Sequence, residues 1–515
     1  CAFDIISLQF LILSFPPALS SSPPSKAVCI EMSSSDYQKT PRKLSDRAFS
    51  EPLIQFEKKN EDEQYIDLFG TRTRFVVMLL VLLCLTSIWS NILSFNFAII
   101  CMAPKEGNAS GATDSYAFTK NESSWITSVV ALGALVANFP VVSVVNRFGT
   151  RLVFSMLGVV SAAATVALPW AIRSGFTWIL VLRALQGMSF AGNFTVIGAF
   201  CSRWTYFKQT GVFVAILVSY VQLSPAITMP VSGALCSAFS WSSVFYAHGL
   251  TTMLLFVIYG LFYRNNPQKH PFVGPLESRK ISTGKVVETK TVARVPYAEI
   301  LSTPAVWAVW AGAIGNFTAV NLMFLYSPTY LSAVLGLSAN STGITAALPP
   351  FTQFLVKLIC GVISDRIHCI SERTKFRLFN SIAFGGSACC FLMLACMGTE
   401  TKSLNMVLLG GAAGILGCST GGFYKAGPVI SKQYSYFVTG NISLMLTLTM
   451  IVVPFMVSVL TPNNTQEEWR WVFVITAVVQ LMSNILFCLF IRGEPCEWTR
   501  EAERELVEVR RSDLP

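Results

Sequence analysis

One arginine stands alone in the apolar run from about Phe176 to Phe200, in the stretch Leu182-Arg183-Ala184-Leu185-Gln186-Gly187. An ionised side chain at membrane depth is costly, by roughly 2.5–3.5 kcal/mol on insertion scales, and therefore marks a polar cavity or a partner. The alternative is an arginine whose stem snorkels to the nearer interface. The glycines and small residues that follow it, up to Gly192 and Asn193, suit close helix packing in lipid. Two further titratable groups fall inside apolar runs: Lys357 and His248. Lys357 either lines a cavity or snorkels, and His248 is either a packed, hydrogen-bonded residue or a proton relay. No Asp or Glu lies within any apolar run, and Asp365, at the inner end of one, is the nearest. Cations without acids call for an anion, and arginine's planar fork matches a carboxylate or phosphate. Asn96, Asn316, Asn321, Gln222 and Tyr326 could add hydrogen bonds near the midplane, or serve as glue between helices.

The elements that must position these groups follow from composition. Hydrophobic residues make up 53% of the 515 and charged residues 13%, the balance of a polytopic membrane protein. Irregular chain and open strands cannot cross lipid, so the fold class is all-α. The pattern predicts spans near 75–101, 124–145, 152–172, 177–200, 210–235 and 242–263. A second set follows near 304–326, 342–364, 379–398, 404–424, 436–460 and 471–491. Twelve transmembrane helices in two six-helix bundles result. The expected organisation is a disordered cytoplasmic tail over 1–73, a bundle over 74–263, a cytoplasmic loop over 264–300, a bundle over 301–492 and a tail over 493–515. The chain begins with Cys1, and Met32 is a candidate start.

Orientation follows from Lys and Arg. With both termini cytoplasmic, the inner loops carry seventeen basic residues against five outside. The net charge of +10 is thus a topology signal rather than a nucleic-acid one. Glycosylation acceptor patterns at Asn108, Asn121, Asn340 and Asn463 all fall in loops placed outside. The 14 cysteines include no CxxC pair and lie mostly in apolar runs, so neither a disulfide framework nor a metal site is expected. No nucleophile–base arrangement or phosphate loop points to an enzyme, and no filter of charged residues points to a channel.

Weak internal symmetry adds to this. The turn Asn146-Arg147-Phe148-Gly149-Thr150-Arg151 follows the second span, and Asp365-Arg366 follows the eighth. Such basic loops either latch helix ends in a gate or simply anchor the chain. Two parallel halves around a midplane site are one transporter plan.

Several motifs, in order, carry a resemblance: Arg183-Ala-Leu-Gln186-Gly187, Trp241-Ser-Ser-Val-Phe245-Tyr246, Asn266-Pro267, Ser327-Pro328-Thr329-Tyr330, Ala347-Leu348-Pro349 and Asn463-Asn464-Thr465 through Trp469-Arg470. From Arg74 to Trp498 the chain resembles the anion-transporter branch of the major facilitator superfamily, solute carrier family 17. The resemblance implies the major facilitator fold and alternating-access transport of a small organic or phosphate anion, with Na+ or H+ as coupling ion and no resident cofactor. It implies a plasma or endolysosomal membrane, with lipid the surrounding partner. The chain departs from the pattern at coupling positions. Arg183 matches the family's fourth-span arginine, but Phe190 stands where a glutamate is expected. Ser94, Asn316 and Thr127 replace two arginines and a histidine, and Asn146 replaces the loop aspartate. These losses leave an alternative open: an uncoupled facilitator, or a transporter-fold receptor or scaffold that moves nothing.

Overall fold

The computed structural model describes residues 72–102, 116, 118–205, 210–282, 296–367, 369–398, 400–431 and 434–499. Most of both expected tails, and Asn108, lie outside them. The described chain is helical and contains no strand.

Twelve helical columns stand where the apolar runs predict them. The first six are α1 (Thr73–Met102), α2 (Lys120–Phe148), α3 (Thr150–Ser174), α4 (Phe176–Trp204), α5 (Thr210–Val218 continued by Tyr220–Ala238) and α6 (Trp241–Phe262). The second six begin with α7, which runs Pro304–Asn321, passes through a π turn at Leu322–Tyr326 and ends as Ser327–Ala333. They continue with α8 (Ala339–Ala346 and Leu348–Arg366), α9 (Glu372–Cys396) and α10 (Lys402–Leu416 and Phe423–Ser431), broken by a 3-10 turn at Gly417–Gly421. They close with α11 (Ser435–Leu460) and α12 (Gln466–Phe490). Among the described residues ten columns are long and apolar enough to cross a bilayer by length and mean hydropathy; α2 and α11 complete the set. The chain is an integral membrane protein.

Local chemistry sets the ends. Thr119 and Glu122 form a reciprocal capping box at the start of α2, and Thr465 and Glu468 repeat it at α12. Between α2 and α3 the chain turns at Gly149, whose φ of 84° favours glycine. Asn265 locks that turn: its Oδ1 accepts from Arg151 N at 2.8 Å, while Arg151 Nε donates to Gly260 O of α6 at 2.8 Å. The loop after α6 folds back under α1. Glu277, itself buried, accepts from the backbone N–H groups of Thr73 and Arg74, so a carboxylate sits on the positive end of α1.

One sequence expectation fails here. Cys101, at the outer end of α1, is disulfide-bonded to Cys236, at the outer end of α5. The partners are 135 residues apart in sequence, and only the packing of α1 on α5 brings them together. The bond lies on the face that the charge bias places outside the cytosol, where disulfides persist.

The two sets of six meet along α5–α8 and α2–α11. In the outer half of the contact, a Cβ on Gly343 of α8 would stand 2.4 Å from the Met229 carbonyl oxygen, and one on Gly233 of α5 2.6 Å from that of Ala339. Ser124 Oγ donates to Pro454 O at 3.0 Å and Ser128 Oγ to Ile451 O at 3.1 Å, tying α2 to α11. Backbone touches backbone across the halves, so the outer side is shut. Gly187 of α4 makes a similar approach within the first half, its Cβ position 1.9 Å from Val130 O. The two glycines predict different failures. Gly187→Ala is expected to reduce the yield of folded protein, because α2 and α4 can no longer pack. Gly343→Ala is expected to fold but to open the outer contact. A cysteine at Ser458, half-buried on α11 in the lining of the cavity between the halves, should then react several-fold faster with a membrane-impermeant thiol reagent; an unchanged rate would remove Gly343 from the seal.

Candidate functional site

Arg183 is placed by the α2–α4 contact. Gly187 and Gly133 let the helices touch, and that brings the Ile126 carbonyl of α2 to 3.2 Å from Arg183 Nε. Nη1 donates to Ile92 O of α1 at 3.0 Å and to Gln186 Oε1 at 2.9 Å. Gln186 Nε2 in turn donates to Thr165 Oγ1 of α3 and to Asn91 O of α1. The guanidinium lies over the Phe95 ring at 4.9 Å. Arg183 is fully buried, and its Nη2 has no partner. One side chain therefore ties α1, α2 and α4 together without an acid, its charge held by carbonyl dipoles and a ring face. It lines neither described cavity in this state.

A second cation stands in the other half. Lys357, on α8, is half-buried, its ammonium 5.2 Å from the centre of the Tyr424 ring on α10. Among the described residues the one ion pair within 4 Å is Lys375–Glu372, so Lys357 has no described carboxylate partner. Asn316 of α7 donates to the Tyr424 hydroxyl at 3.2 Å and accepts from Ser419 Oγ at 3.3 Å. The 3-10 turn in α10 carries Ser419 to that position. α7, α8 and α10 thus present a cation, a phenol and an amide together. Lys357 lies nine residues before Arg366, which by the helical rise is about 13 Å inside the inner end of α8.

Phe190, where the resemblance leads one to expect an acid, belongs to an aromatic cluster. Its ring is 4.8 Å from Trp89 and 5.9 Å from Phe194, with Tyr220 at 6.5 Å. None of these described neighbours is a carboxylate or a histidine. His248 of α6 is bonded at 3.3 Å to Ser232 Oγ of α5.

The other sequence candidates separate. Asn321 Nδ2 donates to Thr449 Oγ1 of α11 at 3.0 Å, a bond between helices of one half. Gln222 is buried on α5. Asn96 and Tyr326 come together on one cavity of about 220 Å³ at the outer side, between the halves; the π turn in α7 positions Tyr326. Asn146 and Asp365 stand at the inner ends of α2 and α8, beside exposed Arg147 and Arg366. Asn121, Asn340 and Asn463 lie at helix starts or turns on the side that the charge bias places outside, and all three are exposed. Three contributors carry no sequence signal of their own: Lys120, which lines the outer cavity, Tyr424, and the Cys101–Cys236 pair. Lys120 reads as an ordinary loop lysine until α2 and α11 converge.

Comparison with known proteins places this arrangement. Residues 77–429 match the family model of the Major Facilitator Superfamily. The chain is 27% identical over 427 residues to an uncharacterized transporter, slc-17.2, of Caenorhabditis elegans, covering 80% of this chain and 86% of that one. It is 26% identical to human sialin, over 74% of this chain and 78% of sialin. It is 23% identical to bovine vesicular glutamate transporter 2, over 72% and 65%. Among solved structures it resembles an inward-facing, unoccupied bacterial homolog of the human lysosomal transporter Spinster, with a TM-score of 0.61 at 13% identity, covering 81% of this chain and 96% of that one. That likeness concerns the fold alone. With two sets of six helices, a shut outer side and a family match over most of its length, the chain belongs to the Major Facilitator Superfamily.

Proposed function

We propose that this protein carries a small organic or phosphate anion across its membrane by alternating access. The observation that carries the reading is Lys357: an ammonium well inside α8, over the ring of Tyr424, whose hydroxyl accepts from Asn316, with no described acid to neutralise it. A cation held that way has its electrostatics completed by an anionic solute. Two such halves rocking about a midplane site fit the transporter plan. The named relatives, sialin and the vesicular glutamate transporters, agree in class. Arg183 serves this reading as the tie that lets the first half move as one body.

A second reading has its own support. Phe190 and its aromatic neighbours occupy the position of an expected proton-coupling acid, so the carrier works as a facilitator or draws on an ion other than the proton. The experiment is uptake into proteoliposomes of a panel of phosphate and carboxylates, with sodium, proton and voltage gradients imposed separately. Uptake accelerated by one gradient identifies the driving ion. Uptake down the anion's own gradient alone establishes the facilitator. No uptake by correctly folded protein overturns transport and leaves a receptor or scaffold.

A further inference from the structure

The second half carries a pair of thiols that the transport reading does not use. Cys360 of α8 donates its S–H to the sulfur of Cys418 on α10, with the two Sγ atoms 3.2 Å apart. Both cysteines are free; Cys360 is buried and Cys418 is partly exposed. The helices that hold them are already in backbone contact. Gly417, next in chain to Cys418, lies where a Cβ would stand 2.9 Å from the Gln353 carbonyl oxygen and 3.0 Å from the Lys357 backbone nitrogen. About two turns away Thr352 Oγ1 donates to Gly410 O at 3.0 Å, so α8 and α10 are tied on both sides of the pair's level.

The sulfurs of a disulfide lie about 2.05 Å apart, so this pair closes with a movement of about 1 Å. Cys360 lies six residues before Arg366, about 9 Å from the end of α8 that the charge bias turns toward the cytosol. Thiols are kept reduced there, in contrast to the compartment faced by Cys101–Cys236. The pair also sits beside the cation of the second half. Cys360 follows Lys357 by three residues and shares its helix face. Cys418 belongs to the 3-10 turn Gly417–Gly421, and Tyr424, whose ring meets the Lys357 ammonium, comes three residues after that turn.

We propose that Cys360 and Cys418 form a reversible oxidation site, in which a hydroperoxide converts the dithiol to a disulfide that pins the break in α10 to α8 and slows transport. The sulfur of Cys418, the more exposed, attacks the peroxide. The O–O bond breaks, the thiol becomes a sulfenic acid, and an alcohol leaves, or water where the oxidant is hydrogen peroxide. The sulfur of Cys360 then attacks the sulfenic sulfur, the S–O bond breaks, and the hydroxyl leaves as water with the Cys360 proton. Two thiols have lost two hydrogens and one peroxide has been reduced. A dithiol reductant reverses the bond by exchange. The effect on transport rests on the reading above; the formation of the bond does not.

The test treats the purified full-length protein in proteoliposomes with cumene hydroperoxide, which partitions into lipid, and then blocks remaining thiols with N-ethylmaleimide. The readouts are non-reducing peptide mass spectrometry and anion uptake. The expected result is a peptide pair linked through Cys360 and Cys418 that separates on adding dithiothreitol. Uptake should fall several-fold on oxidation, recover with dithiothreitol, and be insensitive to the peroxide in Cys360→Ala and in Cys418→Ala. A dose that oxidises the exposed Cys369 and Cys396 but leaves Cys360 and Cys418 unlinked overturns the site. A linked pair with unchanged uptake, or a loss of uptake that persists in both variants, overturns its control of transport. Absence of uptake by the reduced protein sinks the transport reading instead, and the linked peptide in the unsubstituted protein still decides the site.

Discussion

Lys357→Met is expected to abolish anion uptake while leaving the folded protein unchanged. The ammonium sits against Tyr424 and is half-buried, and it makes no described hydrogen bond or ion pair that the fold depends on. Methionine keeps the length and apolar stem of the side chain, so the packing against α10 survives. What is lost is the charge-assisted contact to substrate. Hydrogen bonds to charged groups contribute roughly 1.5–3 kcal/mol each, which corresponds to about ten- to a hundredfold in affinity. Lys357→Arg is expected to retain part of the activity, since the charge remains while its position shifts. The checks are initial uptake rates in proteoliposomes alongside Tm in detergent. Unchanged uptake by Lys357→Met would remove the lysine from the pathway. A parallel fall in Tm would assign it a structural role instead.

Arg183→Lys should fail in the opposite way. A lysine preserves the charge but cannot reach three acceptors on three helices, as the fork does with Ile92 O, Ile126 O and Gln186 Oε1. The remaining ammonium would be fully buried and only partly solvated by dipoles, the situation in which a buried charge destabilises most. Interhelical hydrogen bonds in lipid contribute roughly 0.6–2 kcal/mol each. The loss of two of them, together with a poorly solvated charge, costs about 3 kcal/mol. For a protein of 515 residues that corresponds to a Tm lower by about 3 °C. If Arg183 acted only as a point charge for the substrate, Arg183→Lys would keep its Tm and much of its uptake. That result would move the arginine from the frame to the binding site.

Lys357 and Arg183 both stand out in the sequence as charges in apolar runs, and nothing local separates their roles. The run around Arg183 even carries the more specific motif. The difference is a matter of neighbours. Gly133 and Gly187 bring α2 against α4 and surround Arg183 with carbonyls, whereas α8 meets α10 at an aromatic ring and leaves Lys357 partly open.

The membrane class, the twelve helices and most of their boundaries were legible in the chain alone. Each of these follows from a local property: a run long enough to cross hydrocarbon, or a capping residue at its end. The breaks in α7 and α10 were not legible, because a π or 3-10 turn depends on which neighbour satisfies the freed carbonyls. Helix packing sets the rest: Cys101 meets Cys236, Asn321 binds Thr449 while Asn96 remains unpartnered, and Lys120 faces a cavity. Those outcomes join residues far apart in the chain, and in a protein of alternating halves the polar groups between them acquire a role only when the halves meet.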